Sequence, residues 1–161
     1  MQKPTLLTIT TPLPPGVSRD AAIDLLHDHE SIIDLNPLVR ARRRIPPPPH
    51  APDEERGRAW YSVTDKLALV PGGLTYTCSF ETLPRGLRTH AYAALGVDTR
   101  SAWSVGDEPS GLCLREDVEL RCHVLLRCFV RRTIRESHEA LGVRFAEEAA
   151  RRSTAGVAGG S

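Results

Sequence analysis

Apolar and polar positions alternate along the middle of the chain, and the period changes near its end. Five runs of period two lie between Arg58 and Cys122: Arg58 to Leu69, Leu74 to Leu83, Leu87 to Leu95, Arg100 to Val105 and Leu112 to Cys122. Turn-forming residues separate them: Pro71-Gly72-Gly73, Pro84-Arg85-Gly86, Gly96-Val97-Asp98 and the stretch from Gly106 to Gly111. Strands this close together leave no room for crossover helices, so the spacing predicts antiparallel hairpins in a meander. From His123 to Arg152 the period becomes helical. Val130, Ile134, Leu141, Phe145 and Ala149 share one face, and charged pairs such as Arg132 with Glu136 occupy the others. This is one amphipathic helix of about seven or eight turns, weakened locally at Gly142.

The N-terminal third has a different rhythm. Leu6 to Thr11 is rich in β-branched residues and bounded by Pro4 and Pro12, which suits a strand. After Pro14-Pro15-Gly16, Ser18 is placed to cap a short helix carrying Ala22, Leu25 and Leu26. A second short helix carries Ile32, Ile33 and Leu35 and stops at Asn36-Pro37, because a residue before proline disfavours helical geometry. Leu38 to Ile45 is a basic strand, and the proline-rich segment from Pro46 to Gly57 is expected to be a long exposed loop. The order is therefore strand, two short helices, six antiparallel strands and a long helix. It describes one α+β domain over residues 1–152, and the small residues from Ser153 to Ser161 are expected to form a disordered tail.

Composition narrows the partners. The chain has 161 residues, a formal net charge of +1 and 5% aromatic residues, so nothing favours nucleic acid. No apolar stretch approaches the roughly 20 residues of a membrane span. The N-terminus lacks a secretory signal, and Cys78, Cys113, Cys122 and Cys128 form no C-x-x-C pair, so reduced thiols in a cytoplasmic setting are expected. No phosphate-loop, dinucleotide-binding, zinc-hydrolase or nucleophile-elbow motif occurs, and no cofactor or metal is expected. Arg40, Arg42, Arg43 and Arg44 could contact phosphates, but such a run on a strand more often marks a solvated sheet edge.

Four segments carry a resemblance: Leu25-Leu26-His27-Asp28-His29-Glu30, Leu35-Asn36-Pro37-Leu38-Val39, Trp60-Tyr61-Ser62-Val63-Thr64-Asp65, and Ser137-His138-Glu139-Ala140-Leu141. With the element order, they resemble the START/SRPBCC superfamily of polyketide cyclases, lipid-transfer domains and Bet v 1-like proteins. The wording is closest to an uncharacterised fungal domain family of that kind. The resemblance covers residues 5 to 150. It implies a helix-grip fold, a seven-stranded curved antiparallel sheet around the long C-terminal helix, with a cavity between the two.

Strand alternation assigns the walls of that cavity. Leu74, Tyr76, Cys78 and Phe80 share an inward face, as do Thr89, Ala91 and Ala93, with His90 and Tyr92 outside. Tyr61, Trp103 and Leu114 complete the sheet side, and Thr133, Ser137 and Leu141 the helix side. Glu116 falls on the apolar face between Leu114 and Val118, where a carboxylate must be paired, hydrogen-bonded or protonated. Tyr76, His138, Arg100 or a ligand could satisfy it, and it is the one catalytic candidate. His27 and His29 are expected to cap the end of the first helix. The leading reading is a non-catalytic binding domain for a hydrophobic small molecule or lipid. The alternatives are a polyketide cyclase or dehydratase-like enzyme using the cavity carboxylate, and a protein-interaction module with a filled interior.

Overall fold

The computed structural model describes residues 3–68 and 70–159; Met1, Gln2, Leu69, Gly160 and Ser161 lie outside them. The elements in chain order are β1 (Thr5–Pro12), α1 (Arg19–His27), α2 (His29–Leu35), β2 (Val39–Ile45), β3 (Ala59–Leu67), β4 (Val70–Leu83), β5 (Gly86–Tyr92), β6 (Asp98–Glu108), β7 (Gly111–Arg121) and α3 (Val124–Ala158). The strands form one antiparallel sheet in the order β1-β7-β6-β5-β4-β3-β2. β3 to β7 make the meander, and β1 and β2 take opposite edges, so α1 and α2 carry the chain from one edge to the other.

Local chemistry sets the element ends. Ser18 Oγ accepts from the Ala21 N–H at 3.1 Å and caps α1. Asp28 caps α2 through the Ser31 N–H at 3.2 Å and also accepts from Arg152 at 3.0 Å, tying α2 to α3. β4 begins earlier than the sequence pattern suggests, at Val70. Pro71 is tolerated there because this end of β4 pairs only with β3. β5 stops at Tyr92, short of Leu95, which takes a left-handed conformation (φ 60°) in a 3-10 turn, Ala94–Gly96. α3 continues to Ala158, so residues 153–158, expected to be a disordered tail, are helical.

Two packing layers flank the sheet. On the concave face, Leu25, Leu26, Ile32 and Ile33 pack with Phe80, Leu87, Trp103, Leu114, Phe145 and Ala149. Gly142 explains how α3 lies so close to β1: a Cβ there would overlap the Thr11 side chain. On the outer face the proline segment is largely exposed, as expected, but it is anchored to the sheet at two points. Its Ala51 and Glu55 are buried, and it covers Trp60, which is wholly inaccessible. Glu55 is the organising residue. It accepts from His90 Nδ1 at 2.6 Å, from the Tyr92 hydroxyl at 2.8 Å and from Ser79 at 3.0 Å, while its carbonyl accepts from Trp60 at 2.9 Å. His90 Nε2 donates to Asp98 at 2.7 Å, so the ring is held between two carboxylates. His90 and Tyr92 are thus on the outer face but not free.

Two predictions follow from this packing. Phe145→Ala should cost about 3–5 kcal/mol, whereas Arg132→Ala, at an exposed site, should stay within about 0.5 kcal/mol; denaturant unfolding distinguishes them, and equal costs would contradict the packing of α3. The second concerns pH. Burial disfavours a charged His90, but Asp98 and Glu55 outweigh it and raise its pKa above the ordinary 6.5. Burial raises Glu55, but His90, Tyr92 and Ser79 outweigh it and carry the carboxyl below the ordinary 4.5. The His90 contribution is complete below pH 6.5 and lost as pH rises through its folded pKa. The Glu55 contribution is present above pH 4.5 and lost as pH falls through its own. Thermal stability should therefore peak in the weakly acidic range, and His90→Gln should flatten the alkaline limb in scanning calorimetry.

Candidate functional site

The concave face is filled at one end only. α1 and the C-terminal half of α3, through Phe145 and Ala149, close one half against Leu87 and Leu114. The N-terminal half of α3 stands over the other half and leaves a cavity of about 320 Å³ between helix and sheet. β3 to β6 supply one wall, α3 from Leu126 to Leu141 the opposite one, and Ile32 and Ile33 of α2 with Val39 of β2 border it. Val70, Leu95 and Phe129 line the cavity and are also solvent-exposed, which locates its mouth. A depression between Pro14 and the last turns of α3, bordered by Glu147, Arg151 and Thr154, is open surface.

Of the residues singled out in the sequence, Tyr76, Cys78, Phe80, Ala91, Ala93 and Trp103 line the sheet side, and Thr133, Ser137 and Leu141 the helix side. Ala93 does so from an extended residue beyond the end of β5. Three others are not on the wall. Tyr61 packs edge-on to Phe80 and His29, Leu114 belongs to the filled end, and Glu116 is covered. Ser137 donates to the Ile134 carbonyl of its own helix at 3.3 Å. Burial pushes the Cys78 thiol up to about 12, so it is an inert neutral wall residue. His27 and His29 do not cap a helix end. They reach the Leu83 carbonyl at 2.7 Å and the Thr82 hydroxyl at 2.8 Å, tying α1 and α2 to the β4–β5 hairpin.

The shifted acid–base groups at the cavity include two pairs. Glu116, 1% exposed, meets His138 Nδ1 at 2.7 Å. The His138 ring stacks against Trp103, centroids 5.8 Å apart and planes 24° from parallel. Burial works against a charged His138, but Glu116 and then Asp65 outweigh it, and its pKa stands above the usual imidazole value. Its Nε2 makes no hydrogen bond among the described residues, and His138 lines the cavity. The second pair is Asp65, whose carboxylate accepts from the Tyr76 hydroxyl at 3.4 Å. Burial raises the Asp65 carboxyl to about 6, against the opposing pull of Tyr76 and His138. Asp65 was not singled out from the sequence, although alternation from Tyr61 through Val63 places it on the inward face. Arg42 of the basic strand is engaged with Asp34 and Glu30, and β2 is a sheet edge.

Comparison with solved structures places this geometry among helix-grip folds. The chain superposes on the di-domain ARO/CYC BexL from the BE-7585A biosynthetic pathway with a TM-score of 0.68 at 13% identity, covering 91% of this chain and 50% of that one, half its length. The Zhui aromatase/cyclase from a Streptomyces species gives 0.63 at 16% identity, over 93% and 94% of the two chains. A START superfamily protein from Mycobacterium smegmatis gives 0.60 at 12% identity, over 92% and 97%. At these identities the likeness is one of fold: a curved seven-stranded sheet with a long C-terminal helix, as in START and Bet v 1-like proteins. No curated protein matches by sequence. Residues 2–151 match the family model described as Domain of unknown function (DUF7053), and the chain belongs to that family.

Proposed function

We propose that this domain binds a hydrophobic small molecule in the cavity between sheet and α3. The observation that carries the reading is the cavity itself, about 320 Å³ with mainly apolar walls and a mouth to solvent. At roughly 24 cal/mol per Å³, leaving such a space unfilled forgoes several kcal/mol of packing. That is a large fraction of the roughly 5–15 kcal/mol that holds a domain together. A protein-interaction module with no ligand would have no use for this sacrifice. The volume holds about a dozen non-hydrogen atoms at roughly 25–30 Å³ each, which favours a compact ring system, polyketide-like in size, over a long-chain lipid. The four free thiols support a reducing, cytoplasmic setting.

A second reading, an acid–base enzyme of the cyclase or dehydratase kind, is favoured by the convergence of His138 and Asp65 on one cavity. In that reading His138 touches the substrate and Glu116, which lies behind it, positions the ring and holds its charge. The binding reading is tested by native mass spectrometry of the protein purified from its own host, where a co-purifying mass in the small-molecule range is expected. Ala91→Phe, which fills the cavity from β5, should abolish that adduct while the far-ultraviolet spectrum stays unchanged. Retention of the adduct in Ala91→Phe would place the ligand elsewhere.

A further inference from the structure

The polar end of the cavity constrains the chemistry of its occupant, an inference that rests on the cavity being a ligand site. Three protonation arrangements are open to Glu116 and His138 at 2.7 Å. A carboxylate can face an imidazolium. A neutral carboxylic acid can donate to Nδ1. A carboxylate can accept from Nδ1 of a neutral ring. The first two leave the buried pair with no net charge. The third leaves an unbalanced buried anion, with Asp65 facing the same cavity, and is the costly one. In both favourable arrangements Nε2 carries the proton, so the free nitrogen of His138 is a donor.

Charge balance then selects the ligand. No lysine or arginine lines the cavity among the described residues. In either favourable arrangement the Glu116–His138 pair has no positive charge to spare, and Asp65 adds negative potential. An anionic ligand would enter without a compensating charge. A hydrocarbon would fill the volume but leave the His138 N–H without a partner. We propose that the occupant is an uncharged, compact, apolar molecule carrying one carbonyl oxygen, and that this oxygen accepts a hydrogen bond from Nε2 of His138.

Three probes of similar size test this by calorimetric titration of the wild-type protein: α-tetralone, its exocyclic-methylene analogue, and naphthoate. The ketone should bind roughly ten- to a hundredfold tighter than the methylene analogue, the range for a hydrogen bond from a charged donor, and naphthoate should bind most weakly. The ketone's carbonyl stretch should move to lower wavenumber in the complex. Removing His138 alone would strand the Glu116 carboxylate, so the pair is replaced together as Glu116→Leu with His138→Phe. This variant should bind ketone and methylene analogue equally. In Glu116→Gln the His138 ring should titrate at lower pH by NMR, and an unchanged titration would remove the ion-pair basis of the argument. Equal wild-type affinities for ketone and methylene analogue would overturn the carbonyl assignment while leaving the cavity as a ligand site. Tightest binding by naphthoate would overturn the uncharged ligand. Failure of all three probes to bind would take down the cavity reading and this inference together.

Discussion

A seven-stranded sheet offers more concave surface than one helix can cover, and most features of this domain are ways of meeting that mismatch. A helix with its side chains is roughly 10–12 Å across, whereas seven strands at nearly 5 Å spacing span about 30 Å. The chain closes one half of the face by close approach and by added helices. Gly142 lets α3 settle onto β1, and α1 wedges Leu25 and Leu26 against Leu87 and Phe145, while Ile32 and Ile33 of α2 reach the border of the cavity. Nothing equivalent covers β3 to β6 beneath the first half of α3, and there the cavity remains. Its location follows from where the small helices were placed, and its width is preserved by Ala91 and Ala93, where larger residues would fill it.

The same mismatch puts Glu116 in a demanding position. β7 alternates Leu114, Glu116, Val118 and Leu120 on its concave face, each nearly inaccessible. A carboxylate among them must find a partner, and α3 supplies it in His138. The pair spans the two layers of the domain where packing is looser than at the Phe145 end. Replacing both members with apolar residues of similar volume is often neutral or stabilising, so stability alone gives this pair no advantage over a leucine and a phenylalanine. Its value lies in fixing which nitrogen of the imidazole faces the cavity.

Much of this was legible in the sequence, and the gaps have physical causes. Period-two alternation placed Tyr76, Cys78, Phe80, Ala91 and Trp103 on the inward face because strand geometry leaves a side chain only two directions. The same rule put Glu116 among apolar neighbours, and the helical period of α3 brought His138 near its core side, where it was one of the candidate partners. Alternation says which face a residue takes but not what lies above it, so Leu114 and Tyr61, although inward, turned out to be packed and not lining. Asp65 obeys the same alternation, but it sits between Thr64 and Lys66 near the end of its strand, where the apolar pattern that makes Glu116 stand out has faded. The outer-face cluster was not legible in the same way. His90 and Tyr92 were placed on the outer face, but the partner that buries them, Glu55, comes from a proline-rich segment whose path no local pattern determines.

Two histidines of this domain are each paired with buried carboxylates, and they illustrate how similar chemistry is put to different ends. His90 uses both nitrogens, one on Glu55 and one on Asp98. No position remains at which a third molecule could be recognised, and the cation serves to fasten the proline segment to the sheet. His138 uses one nitrogen on Glu116, its other makes no hydrogen bond among the described residues, and the residue lines the cavity. Both rings have raised pKa values from the same cause, a neighbouring carboxylate that outweighs burial. The shift by itself therefore does not separate the structural histidine from the one available for chemistry. What separates them is whether a hydrogen-bonding position is left over, and by that criterion the two differ: both nitrogens of His90 are engaged, and one nitrogen of His138 is.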